Sequence, residues 1–377
     1  MKIRKKIAVV VSSDLVTDQR VLKECNTLHQ LGFEIEVYCR ILKHSLPLPD
    51  LPYKIIQMRL CREAGVPMYL HLNLVLFIKL ITSKASIIWS NDLDTLLPAF
   101  LVSRLKKKTI IYDSHELYAQ TPSLIYRPFK RKIWQSIEDF CLPKLKHVLT
   151  VNNTIKREYE DKYKIKVNVV RNVPYLNITK PITPVNLHIK NRKILILQGA
   201  GIHHNRGGLE IVQAIQFLDD DYYLIVAGSG DALDQLKQIV IENRWESKVL
   251  FTGLMPYQQL LAYTKTAHLG IIPEKIEISS ASYYTLPNKL FDYIHAGLPV
   301  LSTRALEIEK IIKQYDIGAF INELVPQKIA ETIHSIFSNE QQLNVWRANA
   351  KLASEDLCWE REQEIIINVA AQALSEK

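Results

Sequence analysis

Residues 271–302 read IIPEKIEISSASYYTLPNKLFDYIHAGLPVLS and hold the most informative pattern in this chain. They predict the end of one strand, a polar loop, a short helix opened by Pro287, and a Gly-Leu-Pro turn into a further strand. Lys289 lies in the first turn of this helix, where the helix dipole favours negative charge. A bound anion would explain the lysine, because free N–H groups at a helix N-terminus already attract phosphate.

Two further polar residues of this helix bear on the ligand. Asn288 shares the first turn, and Asp292 lies one turn later on the same face. A carboxylate accepts hydrogen bonds from sugar hydroxyls, so a cation for phosphate beside a carboxylate for ribose suggests a nucleotide. The alternative is a surface helix with a solvated lysine and aspartate, and the helix by itself does not decide between them.

Length and composition indicate a soluble protein of two domains. The chain has 377 residues, of which 47% are hydrophobic and 23% charged, and this length exceeds the usual size of one hydrophobic core. A formal net charge of +9 and a pI near 9.1 favour an anionic partner. Nucleic acid is not expected, because zinc-finger spacing, ribonucleoprotein motifs and arginine-rich runs are absent from the sequence.

The cysteines and the N-terminus bear on cellular location. The five cysteines are scattered without a C-x-x-C pair, which argues for a reducing compartment and against a structural metal site. The basic start MKIRKK precedes an apolar run that is too short for a signal peptide and predicts a first buried strand. We therefore expect a cytoplasmic protein.

Strand and helix patterns alternate in two successive segments. Residues 1–172 and residues 193–345 each predict a doubly wound α/β domain. Residues 173–192 carry three prolines and little periodicity, which predicts a linker. Residues 346–377 predict a helical tail, expected to pack back on the first domain. The predicted fold class is α/β, with two Rossmann-like domains and C-terminal helices.

Polar clusters follow two neighbouring strands of the first domain, at 91–94 (NDLD) and 113–116 (DSHE). The carboxyl ends of parallel strands are where open α/β sheets bind ligands. Asp92 and Asp94 form a D-x-D sequence that can bind a metal, but a first-turn helix role is favoured for Asp94. His115 is a candidate for proton transfer or for a hydrogen bond to a sugar, with a structural histidine as the alternative.

Glycine turns follow two strands of the second domain, at 199–201 (Gly-Ala-Gly) and 228–230 (Gly-Ser-Gly). Glycine lets the backbone approach a phosphate or ribose closely, although one such turn is a weak signal. Arg206 is the second basic residue at a helix start in this domain. Arg206 and Lys289 together favour a nucleotide diphosphate as the ligand.

Two segments of the first domain bear on contact with a membrane. Residues 66–84, VPMYLHLNLVLFIKLITSK, are strongly apolar, but their uninterrupted runs are too short to span a bilayer. A buried helix is favoured, and an amphipathic helix that rests on a membrane is the alternative. The basic helix around 127–132 and the net charge favour peripheral contact with an anionic membrane.

Together these segments resemble retaining glycosyltransferases of the GT-B fold, specifically glycosyltransferase family 4. The likeness covers nearly the whole chain, and PNKLFDYIHAGLPV at 287–300 is its most specific part, beside DQRVLKE at 18–24, NDLDTLLPA at 91–99 and YDSHELY at 112–118. The resemblance implies two domains that face each other across a cleft. It also implies an N-terminal domain for the acceptor, a C-terminal domain for a nucleotide-sugar, and no requirement for a metal.

The resemblance implies a role for each matched residue. Arg206 and Lys289 would neutralise the leaving diphosphate, and His115 would contact the transferred sugar, so these three are the predicted catalytic residues. Asp292 would hold the ribose hydroxyls. The nucleotide-sugar is expected to contact Gly199, Gly201, Gly228, Gly230, Ser279, Ser280, Ala281, Asn288 and Asp292. The acceptor is expected to contact Asp18, Arg20 and Asp92.

The chain departs from the family pattern at its acidic positions. The second acid of the motif is Asp292 instead of a glutamate, and the first, eight positions earlier, is replaced by Tyr284. The first acid contacts the donor sugar in the family, so the sugar is not predicted. Glu274 and Glu277, in the preceding loop, are candidates to replace it.

The implied function is transfer of a sugar from a nucleotide-diphosphate sugar to a glycan or lipid-linked acceptor in bacterial surface-polysaccharide synthesis. A UDP-sugar is the favoured co-substrate, no cofactor is expected, and the expected location is cytoplasmic, at the inner face of the membrane. One alternative is a nucleotide-sugar epimerase of the same fold. Others are a nucleotide-sugar-binding protein that has lost catalysis, and a single-domain, metal-dependent D-x-D transferase, which the second α/β domain disfavours.

Overall fold

The computed structural model describes residues 5–43, 45–177, 181–189, 191–199 and 201–375. The start of the predicted first domain, parts of the predicted linker and the last two residues of the predicted tail lie outside the described residues. By its internal contacts the chain divides into two compact units, Met1–Asn172 with Trp359–Lys377, and Val173–Cys358.

The first unit alternates strands and helices along the chain. Its elements are β1 (Lys6–Asp14), α1 (Gln19–Gln30), β2 (Glu34–Arg40), β3 (Lys54–Met58), α2 (Val66–Thr82), β4 (Ile87–Asn91), α3 (Leu93–Lys106), β5 (Thr109–Ser114), α4 (Pro122–Ile125), α5 (Pro128–Cys141), β6 (His147–Thr150), α6 (Asn153–Tyr163) and β7 (Val167–Val169). Single 3-10 turns occupy Tyr118–Gln120 and Leu142–Lys144.

All described strands of the first unit run parallel, in the order β3-β2-β1-β4-β5-β6-β7. Val9 in β1 pairs with Val37 on one side and with Trp89 on the other, and all three are buried. Continuous apolar strands of this kind belong to sheets covered by helices on both faces. The strand order reverses between β1 and β4, and such a switch point is where open α/β sheets bind ligands.

The second unit repeats this architecture. Its elements are β8 (Lys193–Gly199), α7 (Gly208–Ala214), β9 (Tyr222–Gly228), α8 (Leu233–Glu242), β10 (Val249–Gly253), α9 (Tyr257–Thr266), β11 (Leu269–Ile272), α10 (Ser280–Tyr283), α11 (Asn288–His295), β12 (Val300–Ser302), α12 (Leu306–Tyr315), β13 (Gly318–Phe320), α13 (Pro326–Ser338) and α14 (Glu340–Asp356), with a 3-10 turn at Ile215–Phe217. Its described strands are parallel in the order β10-β9-β8-β11-β12-β13, and the switch point lies between β8 and β11.

Helix α11 is fixed to this second sheet by one buried tyrosine. The Tyr293 hydroxyl donates to the carbonyl oxygen of Ile196 at 3.2 Å and accepts from the backbone N–H of Gln198 at 3.3 Å. These bonds join the middle of α11 to β8 at the switch point. The first turn of α11 is therefore held near the carboxyl end of β8.

The last helix, α15 (Trp359–Ser375), returns to the first unit. Trp359 Nε1 donates to Thr27 Oγ1 of α1 at 3.0 Å, and Arg171 Nε lies 2.6 Å from Glu362 Oε1. The tail that the sequence predicts from residue 346 is divided between the units, because α14 belongs to the second unit and α15 to the first. The described residues of the predicted linker also belong to the second unit, where the Val185 N–H donates to Thr266 Oγ1 at 2.9 Å.

The two faces of helix α2 differ in burial, and contact of this helix with a membrane stays a prediction. One face is buried through Met68, Leu72, Leu76 and Leu80. The opposite face is exposed through Val66, Leu70, Leu74 and Ile78. Among the described residues, no helix combines the length and the apolar character needed to cross a bilayer.

Candidate functional site

Arg20, in the first turn of α1, is enclosed in the first unit and is 2% exposed. Its Nε and Nη2 donate to the two carboxylate oxygens of Asp113, each at 2.7 Å, and its Nη1 donates to the Val170 carbonyl oxygen at 2.6 Å. Glu24 Oε1 lies 3.1 Å from the same Nε. All three guanidinium nitrogens bind groups inside the protein, which indicates a structural role for Arg20, and its predicted contact with the acceptor stays a prediction.

The charges around Arg20 determine the protonation of the two carboxyl groups that it contacts, those of Asp113 and Glu24. Burial would raise the pKa of Asp113, but the charges of Arg20 and His115 and the hydrogen bonds from His115 and Glu24 together outweigh it and hold that pKa well below its usual range. Burial, followed by the charge of Asp113, raises the pKa of Glu24 well above its ordinary value. Asp113 is thus the ionised partner of Arg20, and Glu24 is driven toward its neutral form.

His115, just past the end of β5, lies between two carboxylates. Its Nδ1 is 3.2 Å from Asp92 Oδ2, its Nε2 is 3.4 Å from Asp113 Oδ2, and its backbone N–H donates to Asp92 Oδ1 at 2.9 Å. Burial lowers the pKa of His115, but Asp92 and Asp113 outweigh burial and raise the pKa well above its ordinary value. A charged imidazolium has two N–H donors and no acceptor, so the geometry favours hydrogen-bond donation over action as a general base.

The two acids of the D-x-D sequence face different surroundings. Asp92 has a left-handed φ of 61° just before α3, and its carboxylate binds His115 instead of capping the helix. A strained residue at the carboxyl end of a strand is typical of functional sites. Asp94 lies in the first turn of α3, as the sequence predicts, and is 4% exposed with a side-chain hydrogen bond to Ser12. Burial, followed by the charge of Asp92, raises the pKa of Asp94 to about 7.

Ligand atoms of Glu24, Asp113 and His115 lie within 4.8 Å of one another, which is close enough to hold a metal ion. The guanidinium of Arg20 is bound to Asp113 and in contact with Glu24 at the same place. Positive charge is therefore already supplied there by the protein itself, and these residues do not indicate a metal centre.

Asp18 lies at the same edge of the sheet, as the residue that caps α1. Its Oδ1 accepts from the Val21 N–H at 3.1 Å, and its Oδ2 accepts from Ser13 Oγ at 2.6 Å. Capping of this kind satisfies an N–H group that the helix leaves free. The side chain is partly exposed, and contact with an acceptor stays a prediction for Asp18, as it does for Asp92.

In the second unit, the glycine turns pack against each other. A Cβ atom on Gly228 would lie 1.9 Å from the Gly199 carbonyl oxygen, and one on Gly230 would lie 2.1 Å from the Ile202 carbonyl oxygen. Close backbone packing at φ angles of 132° and 159° therefore explains Gly228 and Gly230 without a ligand. Their predicted contact with a nucleotide stays a prediction.

Several predicted donor-site residues come together at the end of β8. Lys289 Nζ lies 3.8 Å from the position of a Cβ atom on Gly199, and Arg206 Nη1 lies 3.7 Å from the equivalent position on Gly201. Lys289 Nζ is also 3.5 Å from Glu274 Oε1. Glu274 is buried, whereas Glu277, the other predicted substitute acid, is exposed on a turn.

The electrostatics of this cluster favour an added anion. Burial lowers the pKa of Lys289; Glu274 opposes this effect, and the charge of Arg206 lowers the pKa further. Two cations that repel each other are thus offset by one carboxylate, which leaves net positive charge beside glycine backbone. Such a site can hold phosphate oxygens by charge-assisted hydrogen bonds.

The termini of α10 and α11 differ in detail from the predicted loop and helix. Pro287, with φ −75° and ψ 143°, is the residue before α11 and not part of its first turn, and Asn288 begins the helix and is exposed. Ser279 caps the one-turn helix α10, in which Ser280 and Ala281 lie, by accepting from the Ser282 N–H at 3.1 Å. Contacts of this turn with phosphate stay a prediction.

Asp292 is an interior residue in this structure. It is 5% exposed; Tyr257 donates to its Oδ1 at 2.6 Å, and Gln198 Nε2 donates to its Oδ2 at 2.9 Å. Thr264 Oγ1 in turn donates to Gln198 Oε1 at 2.7 Å. A ribose hydroxyl would therefore have to share an oxygen that already accepts a hydrogen bond, and the predicted ribose contact is untested.

Sequence reasoning missed the partners of Asp292. Gln198 could have been recognised from the sequence, because a polar residue near the end of the buried apolar strand KILILQG needs a hydrogen-bond partner. Tyr257 and Thr264 could not have been recognised, since both fit an ordinary amphipathic helix.

Two family models match successive parts of the chain. Glycosyltransferase Family 4 matches residues 19–174, and Glycosyl transferases group 1 matches residues 180–353. The chain is a glycosyltransferase of the GT-B fold. Each match covers most of one α/β unit of the glycosyltransferase, and the break between the matches lies just after the division at residues 172 and 173.

Solved structures of low sequence identity share the fold of this glycosyltransferase. Sucrose-phosphate synthase from Thermosynechococcus elongatus has a TM-score of 0.80 and 13% identity, with 99% of this chain and 100% of that chain covered. HepE of Anabaena in complex with UDP-glucose has a TM-score of 0.73 and 12% identity, with 97% and 99% covered. WaaG, a glycosyltransferase involved in lipopolysaccharide biosynthesis, has a TM-score of 0.70 and 14% identity, with 96% and 99% covered. No curated protein sequence matches the chain.

Proposed function

We propose that this glycosyltransferase moves a sugar, with retention of its anomeric configuration, from a nucleotide-diphosphate sugar to a glycan or lipid-linked acceptor of a bacterial surface polysaccharide. The observation that carries the proposal is the cationic cluster of Arg206 and Lys289 beside Gly199 and Gly201 at the end of β8. Two cations side by side fit a diphosphate, which is the leaving group of such a donor.

The chemistry of this cluster follows from its charge. When the bond between the sugar and the diphosphate breaks, negative charge develops on the diphosphate oxygens. Arg206 and Lys289 stabilise that charge where it forms, and their side chains are already in place in the folded protein. Because these two residues supply the charge, we propose that the reaction needs no metal ion.

The donor, the product and the acceptor side can be assigned more finely. The complex of HepE with UDP-glucose supports a UDP-sugar as the donor, and the role of WaaG in lipopolysaccharide synthesis supports a surface polysaccharide as the product. In the first unit, His115 is the proposed contact with the transferred sugar, where a sugar oxygen would share the Nδ1–H of the imidazolium with Asp92. Asp92 and Asp18 are the proposed contacts of the acceptor. We also propose that the enzyme is cytoplasmic and peripheral to the membrane.

The reaction is tested by incubating the full chain with a panel of UDP-sugars and measuring released UDP. We expect slow UDP release with one sugar in the absence of acceptor, because water replaces the acceptor hydroxyl, and we expect His115→Asn to slow this release at least tenfold. The anomeric configuration of the released sugar, read by NMR before it equilibrates, should match that of the donor.

Two other outcomes would reject this function. Conversion of the sugar within the UDP-sugar, without UDP release, would indicate the epimerase. Tight UDP binding with no turnover of any sugar would indicate a nucleotide-sugar-binding protein.

A further inference from the structure

An apolar groove runs between helices α2 and α5 of the first unit. Its volume is about 430 Å³, within the range of roughly 300–1,000 Å³ that is usual for small-molecule sites. Tyr69 and Leu70 of α2 form one wall, and Ile133, Trp134 and Ile137 of α5 form the other. No interaction described above for the proposed reaction uses these residues.

Apolar side chains stand exposed at the mouth of this α2–α5 groove. Leu70 is 67% exposed, Val66 is 50% exposed and Ile133 is 46% exposed, and all three line the groove. Single exposed apolar residues are common on protein surfaces, but a cluster around a concave opening marks a binding site. The groove therefore offers apolar surface to a ligand.

The inner wall of the groove is held in place by three aromatic rings. The rings of Tyr69 and Tyr118 meet the Trp134 ring edge-on, with centroids 5.0 Å and 5.1 Å away. The Tyr118 hydroxyl donates to the Tyr69 hydroxyl at 3.0 Å. Packing of this kind fixes the rings, so a chain that enters the groove meets a preformed surface.

The groove adjoins the carboxyl edge of the first sheet. Asn73, which lines the groove, donates to the Asp94 carbonyl oxygen at 3.0 Å. Tyr118 is three residues from His115, and Leu97, also in the lining, is five residues from Asp92. A molecule in the groove can therefore extend toward the proposed acceptor residues.

The charges at the groove have one sign. Arg127 and Lys130 line it, and its described lining residues include no aspartate or glutamate. Within the part of the chain that the structure describes, neither cation lies within ion-pair distance of an acidic group. An apolar groove with two cations fits a molecule that carries an apolar chain and an anionic group.

We propose that the α2–α5 groove binds the apolar chain of a lipid phosphate, with the phosphate at Arg127 and Lys130. This inference rests on the proposed function, because it assigns the lipid phosphate as the carrier to which the acceptor is attached. Its chemical requirement is one apolar chain with a phosphate at one end. An entire membrane surface and a second copy of this protein are the competing occupants.

Calorimetry with farnesyl phosphate, held below the concentration at which it forms micelles, tests the groove in the full chain. We expect saturable binding to the wild type and at least tenfold weaker binding to Leu70→Glu. Leu74→Glu is the matched control, since Leu74 is 60% exposed on the next turn of α2 but lies outside the groove lining. This control should bind within twofold of the wild type.

The proposed phosphate contact is tested by a second variant with its own control. Arg127→Glu should weaken binding of farnesyl phosphate at least fivefold and leave the weaker binding of uncharged farnesol unchanged. Lys132→Glu changes an exposed lysine of α5 outside the groove lining and should have little effect. Equal binding of farnesol and farnesyl phosphate by the wild type would overturn the assignment of the two cations.

Other results would overturn the groove itself. Equal losses in Leu70→Glu and Leu74→Glu, in farnesyl phosphate binding or in sedimentation with anionic vesicles, would assign the whole outer face of α2 to a membrane surface. A dimer that Leu70→Glu dissociates would assign the groove to a second copy. If UDP binds but farnesyl phosphate does not, the proposed function stands and this inference fails; if farnesyl phosphate binds but no nucleotide does, the reverse holds.

Discussion

Replacing Arg20 by methionine should lower the free energy of unfolding by about 3–5 kcal/mol. Methionine keeps much of the side-chain volume but removes the guanidinium that binds both oxygens of Asp113 and the Val170 carbonyl oxygen. Asp113 would remain a buried carboxylate without its cation, and a buried charge without a partner is among the most destabilising changes in a protein core. Chemical denaturation of the wild type and variant measures the loss.

Two further variants show that the loss comes from the buried charge. Arg20→Met combined with Asp113→Asn should be less destabilised than Arg20→Met alone, because no ionised partner is left behind. Arg304→Met removes a partly exposed ion pair with Glu309 and should cost no more than about 1 kcal/mol. A loss in Arg20→Met as small as that in Arg304→Met would contradict the structural role and favour the predicted acceptor contact instead.

Replacing Asp94 by asparagine should stabilise the protein at pH 8 by about 2–4 kcal/mol. Burial raises the pKa of Asp94 from its ordinary 3.8 to about 7, so the folded state holds the proton more tightly than the unfolded state does. The favourable contribution of the protonated form is present below pH 3.8 and is lost as the pH rises through about 7. Asparagine does not ionise and avoids this loss.

Thermal unfolding of both proteins between pH 4 and pH 8 measures the effect. The gain in stability from Asp94→Asn should be near zero at pH 4 and should grow until about pH 7. Asp234→Asn is the matched control, because Asp234 is also a first-turn acid, in α8, but its side chain is fully exposed. If the difference in stability between Asp94→Asn and the wild type is constant with pH, or grows as the pH falls, the carboxyl group of Asp94 is ionised at neutral pH.

The two sheets could be predicted from the sequence, because the patterns that specify strands and helices lie within short segments of the chain. Apolar runs such as 7–11 identify strands that are buried on both faces, and the helical periodicities between them require parallel crossovers. The two-domain α/β fold follows from that alternation. The placement of α14 does not follow, because its residues suit either unit and tertiary packing decides between them.

Site residues could be predicted where a ligand explains a residue that is otherwise unfavourable at its position. Hydrogen-bond partners that meet only through tertiary packing could not be predicted. Lys289 and Arg206 are unfavourable at helix starts without an anion, and the structure brings both to the end of β8. Arg20 stands in the same polar motif as Asp18, but its partner Asp113 is 93 residues away and no local pattern reveals it. The internal hydrogen bonds of Asp292 were hidden for the same reason.

Calorimetry with UDP, without added metal, tests most directly whether the cationic cluster of Arg206 and Lys289 binds a nucleotide diphosphate. UDP should bind the wild type in the micromolar range and bind Lys289→Ala about 10–100-fold more weakly, equivalent to about 1.4–2.7 kcal/mol. Lys275→Ala is the matched control, because this nearby lysine pairs with Glu210 instead of Glu274 and should leave the affinity unchanged. Equal affinity of UDP for the wild type and Lys289→Ala would contradict the proposed nucleotide-diphosphate site.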